Sequence, residues 1–216
     1  MAIYDTEEEQ LEQLKSWWAN NNTSLIAGVV AAVVIVAGSN AWQGYQQEQR
    51  NQASELYQNL LDAAAKNNSE SVETLAGKLN NEYGKTVYSD YATLELAKLK
   101  VGKGDFEAAK TILQQEISAG SSEMQHLSRL RLIQLLLQTK QYEQGLKLIA
   151  EVDPAKAEGF SASYDELQGD LYLGLERYDE ARNAYQSALR SGQASPLVQF
   201  KLDDLTAPAL INTPAK

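Results

Sequence analysis

The chain has 216 residues, no cysteine and a net charge of −10. Disulfides, thiolate metal sites and a cysteine nucleophile are therefore excluded. So acidic a chain has no electrostatic footprint for nucleic acid and would be repelled by anionic lipid, so any hold on a bilayer must be hydrophobic.

Residues 1–23 carry −4 of that charge, five acids against Lys15. Thr6 and Glu9 have capping-box spacing, and Leu11, Leu14, Trp17 and Trp18 share one helical face. A short amphipathic helix is expected, interrupted at Asn20-Asn21-Asn22, with Asn22 or Thr23 capping the helix that follows. Seating at the membrane interface is its simplest role; docking of a partner is the sharper one.

Between Lys15 and Glu48 no residue is charged. Residues 24–45 are read as a transmembrane helix, since about 19 apolar residues at roughly 1.5 Å each give roughly 28 Å, close to the hydrocarbon thickness. Residues 25–38 lack the polar stripe of a buried core helix. A signal peptide would start basic, whereas this chain opens Asp5-Thr6-Glu7-Glu8-Glu9; Ser39-Asn40-Ala41 is the one feature resembling a cleavage site. Trp17-Trp18 before the run and Trp42 with Tyr45 after it stand where interfacial aromatics belong. The expectation is one uncleaved span. Its direction is not set by charge, because Lys15 on one side balances Arg50 on the other. Gly28 and Ala32, four apart, would let a second membrane helix approach, although small residues are common in such segments.

Residues 46–205 are read as a helical-repeat domain. Phe106, Tyr142 and Tyr178 are spaced by 36 and 36, with Ala109, Gly145 and Ala181 three positions later and Leu113, Ile149 and Tyr185 four beyond those. Leu99, Leu135 and Leu171 keep the register upstream. Two apolar helices per mid-thirties period mark a solenoid, in which each unit buries its face only against its neighbours. The third unit resembles the tetratricopeptide repeat (TPR) most closely, through Gly169, Tyr172, Tyr178, Ala181, Tyr185 and Ala188; the earlier units carry Ala97 and Ile133, then Lys100 and Leu136, at the first two of these positions. Segments 52–66 and 70–81 form a diverged leading pair. Ser122 with Gln125 and Ser163 with Glu166 have capping-box spacing, and Pro196 opens a terminal helix ending near Leu205. Residues 206–216, with Pro208 and Pro214, are expected to be disordered. The fold class is all-α: a single N-terminal transmembrane helix followed by a TPR-like α-solenoid.

Catalytic chemistry is not indicated. His126 is the sole histidine, expected to face solvent, with no second one for a metal site or relay. Asp203-Asp204 and Glu7-Glu8-Glu9 are acidic runs whose members point apart on a helix. Gly102 and Gly104 belong to an inter-helix turn, not to a phosphate loop. No catalytic residue, cofactor or metal is expected, and the chain is read as a binding module, not an enzyme. The repeat register places Leu94 and Lys98, Leu130 and Gln134, and Glu166 and Asp170 in the groove formed by the first helix of each pair, with Val101, Leu137 and Leu173 one turn on. One lysine among two acids does not make a clamp for acidic chain ends, and an extended, partly apolar or basic segment suits it better.

The whole layout resembles the YfgM-type ancillary subunits of the SecYEG translocon. The resemblance runs from Ile3-Tyr4 through Leu56-Tyr57-Gln58-Asn59, Tyr91 to Ala97, Leu130-Arg131-Leu132 and Gly169-Asp170-Leu171 to Lys201-Leu202-Asp203-Asp204-Leu205. It implies a bacterial inner-membrane protein with residues 1–23 in the cytosol and the repeat domain in the periplasm. It also implies partners: SecYEG, a PpiD-type periplasmic chaperone, translocating or unfolded polypeptides, and a cytosolic stress-response regulator that would meet residues 1–23. Two roles fit: a chaperone-like binder that holds clients in its groove, or a structural adaptor that holds other proteins without touching clients.

Overall fold

A computed structural model describes residues 7–157 and 159–206. These fold into helices alone, in two units dividing after Gln52.

The helix α1 covers Glu7–Ala65. It does not stop at the asparagines. Asn21 donates its amide to the Trp17 carbonyl at 2.8 Å, and Thr23 donates to the Asn22 side chain at 3.1 Å. The expected interruption and cap are therefore absent: side chains that often break helices here bond back along their own helix. Thr6 lies outside the described residues. Among those residues α1 alone is long and apolar enough to cross a membrane, and none of that apolar stretch is buried within the chain. A core helix would be covered, so the exposed Val33, Val34 and Ile35 fit lipid instead. Trp42 and Tyr45 follow with ring centroids 6.0 Å apart.

From Ala53 onward the chain is a helical array: α2 (Ser69–Glu82), α3 (Val87–Gly102), α4 (Phe106–Ala119), α5 (Ser122–Gln138), α6 (Tyr142–Ala150), α7 (Ser161–Gly174), α8 (Tyr178–Arg190) and α9 (Pro196–Thr206). Ala53, Leu60 and Ala63 of α1 bury against Val72, Ala76 and Leu79 of α2, giving the leading pair. The 36-residue period recurs in the backbone. Gly104, Lys140 and Glu176 adopt positive φ of 76°, 60° and 59°. After each first helix, Asp105, Gln141 and Arg177 donate to the carbonyls of Lys100, Leu136 and Tyr172 at 2.8–2.9 Å. This is the Schellman closure that turns a helix sharply into its partner.

The small residues work as the spacing predicts. Ala109 and Ala181 are fully buried, and Gly145 presses on Leu171 so closely that a Cβ would meet its methyls at 2.8 Å. Leu135 and Leu171 are each buried in the core of a successive unit, Leu135 against α3 and α4 and Leu171 against α5. Tyr178 differs from Phe106 and Tyr142: it remains half-exposed because the short α9, not another full pair, follows it. Neither predicted capping box forms; the caps fall on Ser121 and Phe160, and Gln125 bonds to the Gly120 carbonyl instead. α9 ends at Thr206, one residue into the expected tail, and the rest of that tail lies outside the described residues.

His126 is buried, contrary to expectation. Phe160, brought over by the loop after α6, stacks on its ring at 5.1 Å, and the Tyr164 hydroxyl lies 3.0 Å from Nδ1. The second neighbour of α5 covers a side chain that a lone helix would leave in water.

Candidate protein-binding groove

The first helices of successive pairs, α3, α5 and α7, present one face with two adjoining cavities. The larger, about 500 Å³, has Leu94, Lys98 and Val101 of α3 and Gln134 of α5 in its wall. The second, about 460 Å³, takes Leu130, Gln134 and Leu137 from α5 and Glu166 and Asp170 from α7. Eight of the nine residues expected from the repeat register thus line one cavity or the other, and Gln134 lines both. Leu173 lines neither and stands 39% exposed beyond them.

The larger cavity is apolar at its floor. Tyr57 and Tyr91 set their ring centroids 5.9 Å apart at one end, and Leu113 and Leu135 close the bottom. Burial, then the nearby Glu95 carboxylate, pushes the Tyr57 hydroxyl above its usual range, so it stays neutral. Glu95 itself is engaged by Lys98 at 3.0 Å. Such a concave, mostly apolar site with a few polar groups suits one large apolar side chain of a bound polypeptide.

The second cavity is less acidic than its sequence implies. Lys201 of α9 reaches across to Glu166 at 2.9 Å and to Asp170 at 2.7 Å. Burial lowers the Lys201 pKa, but the two carboxylates outweigh it and hold the ammonium above its ordinary value. Tyr185 donates its hydroxyl to the same Asp170 at 2.7 Å. Burial, then Asp170, raises the Tyr185 pKa, so it remains a donor. The two acids that pointed to a basic ligand are therefore already satisfied from within the chain.

Tyr57, Tyr91, Leu127 and Arg131 also line this surface and were not among the expected residues. Tyr91 and Leu127 sit at one 36-residue register position and Glu95 and Arg131 at another, so extending the register by those two columns would have found all but Tyr57, which lies on α1 outside both columns. Lys201 lies outside the repeat and has no such marker. Among the described residues no group of three His, Asp or Glu side chains could hold a metal ion.

An array of paired helices closed by Schellman turns, with small residues at the crossings and a groove along the first helices, defines a TPR-like protein. The family model described as "Tetratricopeptide repeat-like domain" matches residues 15–207. The ancillary SecYEG translocon subunit of Escherichia coli (strain K12) is 31% identical over 213 residues, 95% of this chain and 100% of that protein. The protein of the same name from Haemophilus influenzae matches at 31% with the same coverage, and that from Neisseria gonorrhoeae at 26% over 211 residues. The chain belongs to the family of ancillary SecYEG translocon subunits. A solved structure of MamA residues 41 to the end, from Desulfovibrio magneticus RS-1, superposes with a TM-score of 0.53 at 17% identity, over 71% of this chain and 84% of that one. At that identity the likeness bears on the fold alone.

Proposed function

We propose that this protein is a non-enzymatic, membrane-anchored subunit of the SecYEG translocon that receives translocated polypeptides in its groove and passes them to a PpiD-type periplasmic chaperone. The observation carrying this reading is the pair of adjoining cavities along α3, α5 and α7: a continuous, partly apolar surface suits an extended chain better than a small molecule. In this reading the protein sits in the bacterial inner membrane, its N-terminus cytoplasmic and its repeat domain periplasmic. The exposed Leu14 and Trp17 before the span then face the cytosol, available to a stress-response regulator.

The test is photocrosslinking in cells from a probe at Gln134, which lines both cavities, with a control at the exposed Gln115 of α4. Adducts to nascent secretory chains from Gln134 alone are expected. A second reading, a structural adaptor that touches no client, draws on Leu197 and Phe200 of α9, 61% and 69% exposed. It requires the same fixed membrane proteins to be captured from Gln134 and Gln115 alike, with no nascent chains.

A further inference from the structure

Six charged side chains line the two cavities: Glu95, Lys98, Arg131, Glu166, Asp170 and Lys201. Glu95 pairs with Lys98, and Glu166 and Asp170 pair with Lys201. Arg131 alone among these has no ion pair among the described residues. Its one hydrogen bond among the described residues goes from Nη1 to the neutral Gln134 side chain at 3.0 Å, within α5. Most of its N–H donors are left for a ligand, and a guanidinium fork matches a carboxylate in a way a lysine does not.

Its position is as informative as its charge. Arg131, with Leu127 and Gln134, belongs to the walls of both cavities and so marks the ridge between them. A chain filling both passes Arg131 at mid-segment, whereas a chain end held there would leave one cavity empty. The aromatic end of the larger cavity, Tyr57 and Tyr91, offers the adjacent apolar seat.

Building on the groove reading above, we propose that the groove selects extended polypeptide segments in which a large apolar residue lies close to an internal aspartate or glutamate. The apolar side chain fills the Tyr57–Tyr91 cavity and the carboxylate docks on Arg131. In an extended strand, residues two apart face the same side, roughly 6.6 Å along the chain, so apolar-x-acidic is the shortest pattern that presents both side chains to one wall. This inverts the basic preference that Glu166 and Asp170 imply when their partner Lys201 is not considered.

The test uses the full chain in neutral-lipid nanodiscs and short, C-terminally amidated fluorescent peptides that differ only at the third motif position: Trp-x-Glu, Trp-x-Gln and Trp-x-Lys. Anisotropy titration should show the Glu peptide binding about tenfold tighter than the Lys peptide, the scale of one charge-assisted contact. In Arg131→Gln that preference should shrink to within about twofold, and in Arg131→Glu it should reverse; Arg131 is exposed, so both variants keep the fold, as circular dichroism would verify. Equal binding of the Glu and Lys peptides by the unmodified protein, or a preference that survives Arg131→Gln, would overturn the inference while leaving the groove reading intact. A free-acid Gln peptide matching the Glu peptide would overturn the assignment to an internal acid. If none of the peptides binds, the groove reading itself fails, and this inference with it.

Discussion

Gly169 of α7 faces the ring of Tyr185 on α8 so closely that a Cβ at position 169 would overlap the ring carbons. Tyr185 is fully buried and fixed at its far end by the bond to Asp170, so the ring cannot retreat without losing that bond. Gly169→Ala should therefore cost about 1–3 kcal/mol, the usual range for overpacking a well-packed core. Gly77→Ala is the matched control: nothing lies within 4 Å of its would-be Cβ in α2. There the gain in helix propensity should stabilise by about 0.5–1 kcal/mol. Urea unfolding of the two variants should shift midpoints in opposite directions.

Lys140 and Glu176 hold the left-handed conformation that Gly104 holds in the first unit. A residue with a Cβ is strained there by about 1–2 kcal/mol, partly offset by the greater freedom glycine has when unfolded. Both side chains are exposed and make no ion pair among the described residues. Lys140→Gly and Glu176→Gly should each stabilise by about 0.5–1 kcal/mol, and Gly104→Ala should destabilise by a similar amount. Calorimetric melting of the three variants checks both directions.

Glu116 of α4 is buried with Oε1 lacking a hydrogen-bond partner, and burial followed by the Asp90 carboxylate raises its pKa above 4.5. Asp90 is itself raised above 3.8 by burial, with a hydrogen bond from Ser121 pulling the other way. For a carboxyl raised in the folded state, the protonated form favours folding: that contribution is full below the unfolded pKa and is lost as pH rises through the folded one. At neutral pH the ionised Glu116 therefore weakens the fold. Glu116→Gln should gain about 1 kcal/mol at neutral pH. The gain should fade on acidification toward the unfolded carboxyl range, in paired denaturation series across pH. A constant difference at every pH would mean that packing, not charge, decides this site.

The period of 36 was readable because it is written several times over, in the turn aromatics, in the small residues at the crossings, and in Leu99, Leu135 and Leu171 upstream; the left-handed turns at Gly104, Lys140 and Glu176 repeat it in the backbone, where the residue types at the last two give no sign of it. Anything that repeats with the array, including the columns holding Leu94, Leu130 and Glu166, could be placed from one dimension. What failed to show depends on contacts that do not repeat. His126 is hidden by Phe160 from an irregular loop, and Lys201 reaches the groove from a helix outside the register. Local rules also yielded to neighbours: Asn20 to Asn22 favour a break, yet α1 runs through them by bonding Asn21 to Trp17.

Lys201 links the end of the array to the charge of its groove. Removing the ammonium by Lys201→Met leaves Glu166 and Asp170 facing each other's field with only Tyr185 donating to Asp170. The carboxylates are one-fifth exposed, so solvent screens the loss and the cost should be about 1–2 kcal/mol, less than for a fully buried pair. The loss should be local, because α9 meets the array through Val198, Leu202 and Leu205 beside this bridge. Hydrogen exchange should then quicken in α9 while the amides of α4 and α5 keep their protection. The same substitution uncovers two negative charges at the far end of the groove, so basic peptides that bind the unmodified protein weakly should bind the variant several-fold more tightly. If α9 loosens but basic peptides gain nothing, Lys201 serves only to hold the terminal helix, and the charge of the groove is set elsewhere.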